Sequence, residues 1–199
     1  MGMFDEEKLG VPAISFKGAR KGTTVEGTIL PIFKLNPRTG VVDALSYRED
    51  QDTDNEGKPR FFPSGDPILV GQVLLQTKLS GWDLTSAKFE ERTADFPDEI
   101  DTGLRRWFIG SKYATQAVRA AKKTLRTAPE VGGLWTIKIL AVKTGKTGSG
   151  EDYTYPDLEV RWHPATPEGQ EIAAKYAETA DRPAAPSEMS EGQDEAPSF

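Results

Sequence analysis

Leu104-Arg105-Arg106-Trp107-Phe108-Ile109-Gly110-Ser111, a helical repeat running to Arg126, and then Leu134-Trp135-Thr136-Ile137-Lys138-Ile139-Leu140-Ala141-Val142-Lys143-Thr144 form the stretch that decides the fold. Its first six residues read as a short strand, bulky and aromatic. Ser111 is placed to cap a helix through its hydroxyl. Ala114, Ala117, Val118, Ala121 and Leu125 then recur at spacings of three and four, which gives one face that packs on a core. Arg119, Lys122, Lys123 and Arg126 lie away from the centre of that stripe. Pro129 and Gly132-Gly133 end the helix, and Leu134–Thr144 is a second clear strand. Gly145-Lys146-Thr147-Gly148-Ser149-Gly150 makes a flexible hairpin tip, and Tyr153–Trp162 returns as the partner strand, interrupted by Pro156.

Upstream, residues 1–22 are a lead-in rich in small residues that ends in Lys17, Arg20 and Lys21. Residues 23–35 read as a strand, with Gly27 and Pro31 marking a bulge or sharp bend. Asn36-Pro37-Arg38-Thr39-Gly40 is a turn, and 41–47 returns as an extra short strand. Residues 48–67 read as a long polar loop, and Ile68–Leu79 as the next strong strand, while 80–103 carry no decisive pattern. The main strands at 23–35, 68–79, 104–109, 134–144 and 153–162 thus have the helix between the third and the fourth. The expected fold is mainly β: an OB-fold-like five-stranded β-barrel with one helix between strands 3 and 4, plus a disordered C-terminal tail. The expected organisation is a nucleic-acid-binding domain at 1–163, a short helix and linker at 164–182 with the helix at about Glu168–Ala180, and a disordered acidic tail at 183–199.

Charge sharpens that division. The chain of 199 residues has a net charge of −6. Residues 164–199 hold eight acids against two bases, so the whole imbalance lies there and the body is neutral. The chain lacks cysteine, which removes disulfides and thiolate zinc sites. The Met1–Glu7 start has neither a basic n-region nor an apolar h-region, and no run approaches the roughly 20 apolar residues of a membrane span. The expected location is the cytoplasm.

Sequence-independent single-strand binding needs π-faces for the bases and cationic side chains for the phosphates. The pairings that offer both are Phe33-Lys34, Arg48 beside Tyr47, Arg60-Phe61-Phe62, Arg105-Arg106-Trp107-Phe108, Lys143 with Lys146, and Tyr153 with Tyr155. Aromatic residues of a β-barrel more often fill its core. Arg60-Phe61-Phe62 stands out because a polar loop has little reason to bury two phenylalanines. The 143–155 hairpin stands out because it would be the loop between the last two strands, which contacts oligonucleotides in OB-folds. The last residues, Ser187 to Phe199, carry four acids, no base and a terminal aromatic, the make-up of a hook for a basic-rimmed pocket on a partner.

This layout resembles the single-stranded DNA-binding proteins of bacteria and their phages: an OB-fold, a linker, and an acidic tail ending in Pro-Phe or Phe. Asp194, Glu195, Pro197 and Phe199 match that tail, and Ser198 between Pro197 and Phe199 departs from it. The resemblance implies a non-enzymatic protein that coats and protects single strands in DNA replication, recombination and repair. It also implies a tail that recruits replication or recombination proteins, no cofactor, and, for a phage-encoded chain, the host cytoplasm. Homo-oligomerisation stays open.

Several features imitate other chemistries. Asp50-Gln51-Asp52-Thr53-Asp54 begins like an EF-hand loop, but Asn55 stands at the sixth position and Phe61 at the twelfth. Gly145-Lys146-Thr147 imitates the end of a P-loop, but Leu140 stands where the first glycine belongs. His163 is the sole histidine, which makes a zinc site or a Ser-His-Asp triad improbable. Two rival readings remain: a β-barrel adaptor or virion structural protein, which would ignore oligonucleotides, and a metal-dependent nuclease built on carboxylates, which would cleave them.

Overall fold

The computed structural model describes residues 11–54, 56–79, 84 and 102–180. The expected acidic tail at 183–199, with Asp194, Glu195, Pro197 and Phe199, lies outside the described residues, as does nearly all of 80–101.

The described chain is mainly β, with two helices. Its strands are β1 (Thr24–Leu30), β2 (Ile32–Leu35), β3 (Val42–Leu45), β4 (Arg48–Gln51), β5 (Leu69–Thr77), β6 (Leu104–Ile109), β7 (Leu134–Lys146) and β8 (Asp152–His163). Helix α1 (Lys112–Leu125) lies between β6 and β7, and helix α2 (Pro167–Thr179) follows β8. All pairings of named strands are antiparallel. β5 pairs with β1 and β4 along one edge and with β6 along the other, and β1 continues through β7 to β8. The five long strands therefore run β6-β5-β1-β7-β8, the third, second, first, fourth and fifth in chain order. No bridge joins β6 to β8 among the described residues, so the sheet does not close into the expected barrel.

Ser111 caps α1 as expected: its hydroxyl accepts from the backbone N–H of Ala114. Ala114, Ala117, Val118 and Ala121 bury one face of that helix. They meet Val25, Ile29, Val73, Leu75, Trp107, Trp135, Ile137, Ile139, Val160 and Trp162 in the main core. The indoles of Trp135 and Trp162 stack with centroids 5.3 Å apart, and Trp107 meets Trp135 edge-on at 6.2 Å. Side chains alternate across a strand, so the opposite face of the sheet carries Leu30 and Leu74, with Ile32 of the separate β2–β3 pair beside them. These are covered by Ala173, Ile172 and Tyr176 of α2. The short helix expected after residue 163 thus carries a second, smaller core.

Several local expectations change. Gly27 is not a bulge: it pairs in regular register with Thr77 on one side and Trp135 on the other. A Cβ there would lie 2.9 Å from the Gln76 carbonyl oxygen, so glycine permits β1 and β5 to approach. Pro31 makes the break, separating β1 from β2. The polar loop at 48–67 begins as a strand, because β4 pairs with Leu69–Gln72 of β5. The rest of it is an arm pinned by bridges at Thr53–Pro59 and Phe61–Pro67. Pro156 does not interrupt β8; it sits opposite Val142 within the ladder. Among the described residues β8 is an edge strand, with no second neighbour to need the missing N–H. The lead-in joins the fold: Ala13 bridges Arg106 and Ile14 is buried. No described helix is long and apolar enough to cross a membrane.

Candidate nucleic-acid interface

Where β6 and β8 fail to meet, a groove of about 590 Å³ opens. The lead-in supplies Ile14, Phe16 and Lys17 to it, β6 supplies Trp107 and Phe108, α1 supplies Tyr113, and β8 supplies Tyr153 through Pro156 and Leu158. Alternation along β6 sends Trp107 inward, 3% exposed, and Phe108 outward, 47% exposed. Trp107 is the floor, met edge-on by Phe16 at 6.4 Å.

The groove's wall is a tyrosine cluster. Tyr113 and Tyr155 stack with centroids 3.9 Å apart and planes 10° from parallel. Tyr153 tilts against Tyr155 at 5.7 Å. The hydroxyls of Tyr113 and Tyr153 share a hydrogen bond of 2.8 Å. That bond, with slight desolvation and the neighbouring phenols, pushes the Tyr113 hydroxyl up to about 12. Tyr113 thus stays a neutral phenol at physiological pH and brings no negative charge against a phosphate. The register extends this surface sideways: Phe108 sits opposite Gln72, and Gln72 opposite Arg48. One row of side chains therefore crosses β4, β5 and β6 and ends at the groove.

The expected site residues divide accordingly. Tyr153 and Tyr155 come together in the groove. Trp107 and Arg105 are corrected: Trp107 lies in the core, and Arg105 is fully buried, donating to the Leu104 carbonyl at 2.9 Å, so neither presents a free surface to a strand. Arg106 is half-buried, and burial, reinforced by the charge of Arg48 and opposed by Tyr176, lowers its pKa. Arg remains charged under all ordinary conditions. Lys34 and Arg48 converge on one carboxylate: Asp50 lies 3.3 Å from Lys34 Nζ and 2.6 Å from Arg48 Nε, and accepts from Gln72 Nε2 at 2.6 Å. Burial pushes the Asp50 carboxyl up, but the bonds and charges of Arg48, Lys34 and Gln72 more than reverse this and hold it below the ordinary carboxylate range. Arg60 pairs with Asp52 at 2.7 Å. Lys143 pairs with Asp157 at 2.6 Å, which raises the lysine's pKa. Lys146 is exposed and makes no ion pair among the described residues. Phe33 is partly buried on the β2–β3 hairpin. Phe61 and Phe62 are 56% and 52% exposed on the arm.

Phe16 and Tyr113 are groove residues that the sequence reading missed, while Phe108 is one of its candidates. The Trp107-Phe108 pair signals that one ring faces out, without saying which. Tyr113 sits off the apolar stripe of α1, two residues past its cap, and that is its only signal. Among the described residues, no group of three or more His, Cys, Asp or Glu side chains is placed to hold a metal ion. Comparisons with protein-family models, with curated proteins and with solved structures give no match for this chain.

Proposed function

We propose that this chain binds single-stranded DNA without cleaving it, stacking bases on Phe108, Tyr153 and Tyr155 at the seam between β6 and β8. The observation that carries this reading is the groove itself. Phe108 and Tyr153 stay half-exposed beside an ordered tyrosine stack, leaving ring faces open to solvent, and bases of any sequence present π-faces to them. The strand order supports it too. Five strands with a helix between the third and fourth, open between the third and fifth, suit the partly open barrel of an OB-fold. In that fold the second and third strands and the loop between the last two strands contact oligonucleotides; here these are β5, β6 and the β7–β8 hairpin.

The phosphates would be met by Lys17 at the groove, by Lys146, and by Arg106 on the flanking face. The acidic segment with Asp194, Glu195, Pro197 and Phe199 would recruit replication or recombination proteins. Fluorescence anisotropy of labelled oligo-dT, with a duplex of the same length as control, tests the proposal. Saturable binding that weakens with salt and is much poorer for duplex supports it. Absence of binding removes it and leaves the adaptor reading. Strand cleavage that depends on magnesium would replace it with the nuclease.

A further inference from the structure

The cations expected to meet phosphate are mostly neutralised by carboxylates, but one surface of the molecule is not. From Lys112 to Arg126 the sequence has no acid, and Lys112, Arg119, Lys122, Lys123 and Arg126 are all exposed. None of the five makes an ion pair among the described residues. By contrast Lys34, Arg48, Lys58, Arg60, Lys143, Arg161 and Lys175 each have a carboxylate partner.

Helical geometry sorts the five. At 3.6 residues per turn, Lys112, Arg119 and Lys123 fall within an arc of roughly 40°, opposite the buried alanines, and span about 16 Å of axis; Arg126, the left-handed C-cap, follows just past the end of the helix. Lys122 lies off that row, with its ammonium 4.7 Å from the ring centre of Tyr47. Helix stability explains only part of this arrangement. Bases in the last turn suit the negative end of the helix dipole, and Lys122 and Lys123 fit that rule. Lys112 violates it, since it opens the first turn, where the dipole favours an acid and none is present. Arg119 also repels Lys122 and Lys123 at spacings of three and four. A helix shaped for folding alone would not accumulate these pairs without a single glutamate between them.

The row begins at the groove. Tyr113, next to Lys112, stacks on Tyr155 in its wall. We infer that single-stranded DNA leaving the groove runs along α1, with its phosphates on Lys112, Arg119, Lys123 and Arg126. The inference rests on the proposal that the groove takes single-stranded DNA. The occupant follows from charge complementarity and reach: about 16 Å of helix covers about five phosphates at the stacked spacing of about 3.4 Å per nucleotide, with Arg126 at its far end.

The test uses the full chain and two oligo-dT probes. One has about 5 nucleotides and fills the groove alone; the other has about 30, longer than a single OB site. The variant replaces Lys112, Arg119, Lys123 and Arg126 with Gln together, and its melting curve is checked against wild type. With four phosphates no longer neutralised by the helix, the slope of log K against log salt for the long probe becomes shallower by about 3, at roughly 0.7 per single-strand phosphate. Affinity for the short probe stays within about twofold. If the fourfold variant does not fold, Arg119→Gln and Lys123→Gln singly each reduce the slope by about 0.7. A folded variant with an unchanged slope overturns the inference and leaves the groove standing. A wild type that binds neither probe overturns both.

Discussion

Gly27→Ala isolates the packing of the sheet from its function. Gly27 sits in the middle of β1 with β5 on one side and β7 on the other. An added methyl would stand 2.9 Å from the Gln76 carbonyl oxygen, 2.9 Å from Leu75 Cβ and 2.9 Å from Thr77 Cγ2. Two of these three neighbours are a backbone atom and a Cβ, so they cannot swing aside, and β1 must shift against β5. Overpacking of this kind costs about 1–3 kcal/mol. Restricting the unfolded chain by replacing glycine returns about 0.4–1 kcal/mol. The net expectation is a loss of about 1–2 kcal/mol, or roughly 2–8 °C in Tm for a chain of this size. Gly148→Ala is the internal control, since a Cβ there meets nothing within 4 Å; it changes stability by no more than about 0.5 kcal/mol, unless chain restriction raises it. Thermal and urea unfolding followed by circular dichroism measure both. A Gly27→Ala protein as stable as wild type would refute the close approach of β1 and β5.

Three further predictions concern the site. Because Tyr113 in the fold holds its proton up to about pH 12, against about 10 for a free phenol, its contribution to stability is complete below about pH 10 and lost as pH rises to about 12. Melting temperatures over roughly pH 9 to 12 should therefore fall less steeply for Tyr113→Phe than for wild type, and parallel curves would count against the hydroxyl pair. Asp50→Asn releases Lys34 and Arg48 for phosphate, steepening the salt slope of oligo-dT binding by up to about 1.4; no change would mean those two cations stay away from the strand. Trp135 and Trp162 are buried in the core and Trp107 lies at the groove floor, whereas a tryptophan introduced as Phe108→Trp at the exposed rim should be quenched by oligo-dT more strongly than the wild-type emission.

Much of the fold is legible in the sequence because its signals are local. The helix between the third and fourth long strands declares itself through Ser111 and the alanine spacing, and β5, β7 and β8 through runs of apolar and β-branched residues. β4 is not legible, because Arg48-Glu49-Asp50-Gln51 has the composition of a loop; pairing with β5 and the Asp50 ion cluster make it a strand. A glycine such as Gly27 predicts a bulge because composition does not distinguish a distorted ladder from a crowded one. Of the site, Tyr153 and Tyr155 are legible from the hairpin they occupy. Both Trp107 and Phe108 are legible as candidates, but not which of them is exposed, since alternation fixes that neighbours face opposite ways but leaves the phase to the sheet. The ion pairs of Lys34 with Asp50 and of Lys143 with Asp157 join positions distant along the chain, and Arg48 meets Asp50 along one face of β4; charge counting along the chain does not reveal any of them.

The most direct test of the groove is photo-crosslinking of the full chain to oligo-dT carrying 5-bromouracil, with the linked residues located by mass spectrometry. The account predicts crosslinks at Phe108, Tyr153 and Tyr155, abolished when unlabelled oligo-dT competes. Crosslinks confined to Phe61 and Phe62 of the arm, or none above the level seen with duplex, would contradict it.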